Sequence, residues 1–342
     1  MPGKRSIVLE SILLAALLCP HGCFWQDGQQ SRQKAPADNI SPAEKCNGLT
    51  DCCSGAATAD SFGSGTCKPD TGILGRPDQA VKMPGIPLVI GHRGLAWNDD
   101  DNPFPENTIM SVEAALKVGA QAVEIDVLKT LDGVIVLYHE AKLDYNNTGI
   151  PKTDCTGSVV DKTWEEIRDC NVNSYATDGF TSPLDRLEWL MEVPGLGLII
   201  LDVKNDFLKH ESLLTIDRIM AILEEYDSAH RVVLMLYEPE TIQYASGWDL
   251  RSCLKKHHSG GLSPVEIADL VEAAGGWCLF ANDDLLTEPL LFELQSRALQ
   301  AMTYFLGQNI SDKVFYNRLD QYAEWEVYGF ITDRVADAVL YF

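Results

Sequence analysis

From residue 86 onwards, short apolar runs alternate with stretches of helical periodicity. Residues 86–90 form an apolar run that halts at Gly91, as a buried parallel strand does. Between Thr108 and Val118 the apolar side chains fall at Ile109, Val112, Ala115 and Leu116, a helical spacing that stops at Gly119. Residues 122–128 and 134–138 read as strands, the second entered through an Asp132-Gly133 turn. Residues 198–203, 232–236, 277–281, 301–306 and 329–332 repeat the strand form. Ser263-Pro264-Val265-Glu266 is a capping box with proline at the first helical position, and it opens a helix that runs to Ala274. Eight strands with helices between most of them predict an α/β fold, a (β/α)8 TIM barrel over residues 86–342. A doubly wound sheet shares that periodicity.

The preceding residues differ. In residues 1–22, Lys4 and Arg5 precede an apolar run at 7–18 that is too short to span a bilayer and predicts a signal peptide. Residues 23–85 are rich in Gln, Ser, Gly, Asp and Pro and lack periodicity, which predicts a loop-rich leader. Within it, Cys46, Cys52, Cys53 and Cys67 predict a small disulfide-tied knot, because so few apolar residues could not hold a core alone. Zinc ranks behind this reading, since no histidine lies nearby and paired CxxC spacing is missing.

Composition adds a compartment and removes partners. Ten cysteines point to an oxidising environment. The expected localisation is therefore secreted, with a lipid anchor through Cys23 as the alternative. The net charge of −23, from 27 basic and 50 acidic residues, repels phosphate backbones, so no nucleic-acid partner is expected. It also argues against a basic patch for anionic lipid. Asn39, Asn146 and Asn309 each begin an N-x-S/T sequon.

Candidate chemistry lies where charge interrupts the apolar runs. Glu124 and Asp126 stand two residues apart and share one face of a strand. Asp202 and Lys204 repeat the arrangement on another strand. Buried acids are costly unless paired or bound to metal. Three converging carboxylates suit one hard divalent cation, Mg²⁺ or Ca²⁺. Charges facing water at a sheet edge, or an ion pair to Lys204, are the competing explanations. His92 and His139 each follow a strand, which places them at the C-terminal face where barrel active sites are built. Two imidazoles beside a metal suit proton transfer in phosphoester cleavage, and Arg93 and Lys204 could hold phosphate oxygens.

These residues carry a specific resemblance. His92-Arg93-Gly94, Pro105-Glu106-Asn107-Thr108, Glu124-Ile125-Asp126, Asp132-Gly133 and His139, in that order, resemble the glycerophosphodiester phosphodiesterase family. Ser182-Pro183-Leu184 and Gly329-Phe330-Ile331-Thr332-Asp333 fit its later marks. The resemblance implies a TIM barrel and metal-dependent hydrolysis of glycerophosphodiesters to glycerol 3-phosphate and an alcohol. It maps metal ligation to Glu124, Asp126 and Asp202, and the acid–base pair to His92 and His139. Three departures stand out: Asp202 where the family usually has glutamate, His139-Glu140 for the usual His-Asp, and no tryptophan in Met302-Thr303-Tyr304. The Asp-x-Lys pattern is more like the related phospholipase D toxins of spider venoms. A lipid-directed phospholipase D with a cyclic phosphate product, touching membranes transiently, is therefore the enzyme alternative. A non-catalytic secreted binding protein is the alternative of another class, and the retained histidines and acids argue against it. Residues 140–183 are longer than an ordinary connection, which predicts a lid or binding element. A Cys155–Cys170 disulfide would limit its opening, and Cys253–Cys278 is a further expected link.

Overall fold

A computed structural model of the chain describes residues 85–95, 102–145, 151–174, 176, 179–204, 209–307 and 310–342. The expected signal peptide, the leader to residue 84 with its four cysteines, and the sequons at Asn39, Asn146 and Asn309 lie outside the described residues.

The first half contains β1 (Leu88–His92), α1 (Ile109–Lys117), β2 (Ala122–Lys129), β3 (Ile135–Leu137), α2 (Trp164–Ile167), β4 (Asn171–Asn173), β5 (Thr181–Pro183) and α3 (Leu187–Met191). Next come β6 (Leu198–Val203), α4 (Lys209–Glu225), β7 (Val232–Leu236), α5 (Pro239–Ser246), β8 (Ser252–Lys256) and α6 (Pro264–Ala273). The chain closes with β9 (Cys278–Asn282), α7 (Glu288–Ser296), β10 (Gln300–Tyr304), α8 (Asp312–Glu324), β11 (Gly329–Thr332) and α9 (Val335–Tyr341). Strands β1, β2 and β6 to β11 pair in parallel, and the β1–β2 pairing closes the ring. This is the expected (β/α)8 TIM barrel.

Two strands depart from the sequence expectation. Residues 134–138, expected in the parallel series, form the antiparallel β3, which pairs with β2 from Val127–Leu137 to Lys129–Ile135. The barrel strand that takes its place in the parallel series is β8, where Lys255 and Lys256 interrupt the apolar run that would have announced it. The helices follow their local signals. Thr108 caps α1 by accepting from the Ser111 amide, and the Ser263–Glu266 capping box opens α6 as expected.

Two concentric apolar layers hold the barrel. Inside it lie Leu88, Ile90, Ala122, Leu198, Ile200 and Phe280, while Val123, Ile125, Ile199, Leu201 and Val203 pack outward under the helices. On β2 and β6 the inward positions therefore read apolar first and acidic last, as Ala122-x-Glu124-x-Asp126 and Leu198-x-Ile200-x-Asp202. On β8 the same alternation runs from Cys253 to Lys255. The charged ends occupy the C-terminal mouth, where barrel active sites are built. Cys253 and Cys278 sit opposite each other on β8 and β9 and are disulfide-bonded inside the barrel. The long segment after β3 has a small core of its own, built from Tyr138, Leu143, Val159, Ile167, Val172 and Leu184 and closed by the Cys155–Cys170 disulfide.

Candidate active site

Strand register assembles the acidic cluster. His92 pairs with Glu124 across β1 and β2, and Asp126 pairs with Asp202 across β2 and β6. Glu124, Asp126 and Asp202 are each about 1% exposed, and one carboxylate oxygen from each lies within 4.8 Å of the others.

The segment between β1 and α1 holds this cluster in place. Arg93 and Asn107 both adopt positive φ, at 51° and 56°, and are pinned together by a bond from the Asn107 amide to the Arg93 carbonyl. A Cβ on Gly91 would lie 2.3 Å from the Gly94 carbonyl oxygen, so the tight turn after β1 requires glycine there. From this turn the Arg93 amide donates to Glu124 (3.1 Å). Its guanidinium reaches Glu106 (2.7 Å) and Asp126 (3.1 Å). Asn107 clasps Asp126 twice, donating from Nδ2 to Oδ2 (2.8 Å) and accepting its amide at Oδ1 (2.9 Å). Glu106, Asn107 and Thr108 thus orient the arginine, hold an acid and cap α1, which is why they sit together in the sequence.

Two lysines meet the cluster from other strands. Lys204 Nζ lies 2.7 Å from Asp126 Oδ1 and 2.5 Å from Asp202 Oδ2. Lys255 Nζ lies 2.6 Å from the same Asp202 Oδ2 and 4.8 and 4.9 Å from the ring centres of Tyr237 and Tyr304. Burial pushes the Lys255 ammonium pKa down, against the pull of Asp202. Lys204 also loses hydration, but Asp126 and Asp202 outweigh that loss and raise its pKa. Asp126 is buried too, yet Lys204, His139 and Arg93 hold it well below the carboxylate range. Glu124 moves the other way: burial and then repulsion from Asp126 raise its pKa.

The site fits a divalent cation. Asp202 Oδ1 is buried and makes no hydrogen bond to a described residue. The destabilised charge on Glu124 is of the kind that a cation relieves, and the donors are hard oxygens. Glu124, Asp126 and Asp202 would hold the ion, which when bound supplies charge for a phosphoryl oxygen.

Each histidine is oriented by a carboxylate. His92 Nδ1 bonds Asp333 Oδ1 (2.6 Å), just beyond β11. Burial opposes protonation of His92, but Asp333 outweighs it and the pKa rises. His139 Nδ1 bonds the neighbouring Glu140 (2.8 Å). The antiparallel course of β3 explains its position: Tyr138 donates its amide to the Asp126 carbonyl, so the chain returns to the mouth directly before His139. With Nδ1 engaged in both rings, any proton transfer by either imidazole would use Nε2.

All seven residues singled out from the sequence, His92, Arg93, Glu124, Asp126, His139, Asp202 and Lys204, therefore come to one end of the barrel. Sequence reasoning missed Lys255 and Tyr237, and it gave no site role to Asp333 and Tyr304, which it met only within stretches compared with the family. The signal for Asp333 was its place after an apolar strand, like that of Asp202. The signal for Lys255 was its spacing of two from Cys253.

The Glycerophosphoryl diester phosphodiesterase family profile matches residues 92–337, which takes in every one of these residues. The chain belongs to that family. A glycerophosphodiester phosphodiesterase of Caldanaerobacter subterraneus is 29% identical over 152 residues, 43% of this chain and 56% of that protein. The human glycerophosphodiester phosphodiesterase 1 is 39% identical over 82 residues, 24% of this chain and 22% of its own length. The chain thus matches between about a fifth and little more than half of the length of these curated relatives. A putative glycerophosphoryl diester phosphodiesterase from Silicibacter pomeroyi superposes with a TM-score of 0.62 at 22% identity, covering 75% of this chain and 92% of that one. An Oleispira antarctica phosphodiesterase, solved with the product sn-glycerol-3-phosphate, gives 0.60 at 16% identity, covering 75% and 96%. Likeness at that identity concerns the fold.

Proposed function

We propose that the chain is a divalent-metal-dependent phosphodiesterase that hydrolyses glycerophosphodiesters to glycerol 3-phosphate and an alcohol. The carrying observation is the pair of carboxylate-oriented imidazoles beside one acidic cluster, with Arg93 and Lys204 at its edge. Family membership and the glycerol 3-phosphate bound to the Oleispira relative support the substrate class. In this reading Glu124, Asp126 and Asp202 hold Mg²⁺ or Ca²⁺, and Arg93 and Lys204 bind phosphate oxygens. One histidine takes a proton from the attacking water while the other protonates the leaving alkoxide.

The Asp202-x-Lys204 pair supports a second reading, in which a neighbouring hydroxyl of a lysophospholipid attacks and a cyclic phosphate results. The two disulfides support work in an oxidising, extracytoplasmic compartment. Phosphorus NMR of products from glycerophosphocholine and from a lysophospholipid, with and without chelator, separates the readings. Glycerol 3-phosphate formed only when metal is present is the expected result. A cyclic phosphate would establish the second reading, and inactivity on both substrates would overturn the proposal.

A further inference from the structure

The segment after β3 sends one charged side chain into the site. Lys152 is only 4% exposed, and its Nζ lies 2.9 Å from Glu106 Oε1, while Glu106 Oε2 holds Arg93 at 2.7 Å. Glu106 is buried, but Arg93 and then Lys152 keep it ionised, with a pKa lowered to about 2. Burial of the Lys152 ammonium lowers its own pKa, so the position is costly unless something enforces it.

A local clasp enforces it. The Lys152 amide donates to the Tyr145 carbonyl (2.9 Å), and the Lys152 carbonyl accepts from the Asn173 amide (2.8 Å). Thr153 bridges Val172 in antiparallel fashion, and Asp154 accepts from both the amide and the side chain of Asn171, each at 2.7 Å. The next residue pair outward is the Cys155–Cys170 disulfide. Residues 152–155 are thus zipped to residues 170–173 and locked at the outer end by the bond.

We propose that Lys152 is a positioning residue for Arg93, acting through Glu106, and that the disulfide-locked clasp delivers it. The inference rests on the reading of Arg93 as a phosphate-binding group. Lys152 fixes the far side of the carboxylate that fixes the arginine. A displacement of Arg93 on the order of 1 Å is enough to cost up to about a hundredfold in rate.

The test has two arms. In the first, full-length protein is reductively methylated under native conditions and each lysine is read by mass spectrometry. Lys152 should be protected while the exposed Lys142 reacts, and protection should be lost in the Cys155→Ser/Cys170→Ser pair and in Asp154→Ala. Protection unchanged in these variants would overturn the clasp. If the cysteine pair does not fold, Asp154→Ala, an exposed substitution that leaves the cysteines intact, carries the same test. In the second arm, kcat/KM on a glycerophosphodiester is measured in a double-mutant cycle. Lys152→Met should lower it at least about tenfold with an unchanged melting temperature, and Lys152→Arg should recover part of the loss. Loosening the clasp should cost activity in the parent but add no further loss to Lys152→Met. Fully additive losses, or parental activity in Lys152→Met, would overturn the positioning role. An inactive parent would overturn the proposed function instead, and the methylation pattern would still decide the clasp.

Discussion

Asp202 Oδ2 is approached by two ammonium groups, Lys204 and Lys255, while Oδ1 accepts no bond from a described residue. One oxygen is thus committed to internal neutralisation and the other is left for the proposed cation. Lys255 is held by two aromatic faces as well as a carboxylate, which offset part of the cost of burying its charge. A charge-assisted contact of this type contributes about 1.5–3 kcal/mol, so Lys255→Met should lower kcat/KM by about tenfold or more. Steady-state kinetics checks this, and an unchanged kcat/KM would remove Lys255 from the site. The histidines make a sharper demand. Each proton transfer contributes about 10²–10⁴-fold, so His92→Ala and His139→Ala should each reduce turnover at least about a hundredfold with an unchanged circular dichroism spectrum. Exposed His258→Ala is the control and should keep the parental rate. A folded His139→Ala enzyme near the parental rate would end the two-histidine account.

At the scale of elements, what was legible in the sequence depended on how apolar the rest of each strand is. Glu124, Asp126 and Asp202 stand out because β2 and β6 are otherwise apolar on both faces. β8 offers only Leu254 outward and Cys253 inward before two lysines, so its charged inward position reads as an ordinary polar stretch. The strand after Asp132-Gly133 was legible as a strand, but its direction was not, because alternation carries no sign for parallel or antiparallel pairing. Lys152 was not legible at all: its place follows from a disulfide and a strand-like bridge far from the barrel pattern. Asp185 shows the same dependence on tertiary placement. Its carboxylate accepts from the Ile109 amide at the start of α1, and its carbonyl accepts from Leu137 on β3. Burial raises its pKa to about 6. A folded-state value above the unfolded value of about 3.9 stabilises the protein below pH 4, and that contribution is lost as pH rises through about 6. Asp185→Asn keeps the acceptor and removes the charge. Urea unfolding at pH 4 and pH 7 should therefore show a smaller decline for the variant, by roughly 1–3 kcal/mol. Equal declines in the two proteins would contradict this assignment.

For the whole molecule, the sequence carries a net charge of −23, while the barrel mouth gathers Arg93, Lys204, Lys255 and Lys152. Each of these four cations is paired with a buried carboxylate, so the lining of this end is of mixed charge. Two disulfides brace the described residues, one inside the barrel near the start of β8 and β9 and one in the segment after β3. Differential alkylation of unfolded, unreduced protein should find Cys155, Cys170, Cys253 and Cys278 blocked, with removal of either link costing about 2–4 kcal/mol of stability. Free thiols at these four positions would contradict the oxidised barrel. The account as a whole turns on a cation held by Glu124, Asp126 and Asp202. The most direct measurement is calorimetric titration of Mg²⁺ or Ca²⁺ into chelator-treated protein, with hydrolysis of a glycerophosphodiester followed at each step. The account predicts one bound ion per chain, activity that rises in proportion to occupancy, and loss of both in Asp202→Asn. Full activity in the metal-free protein would contradict it.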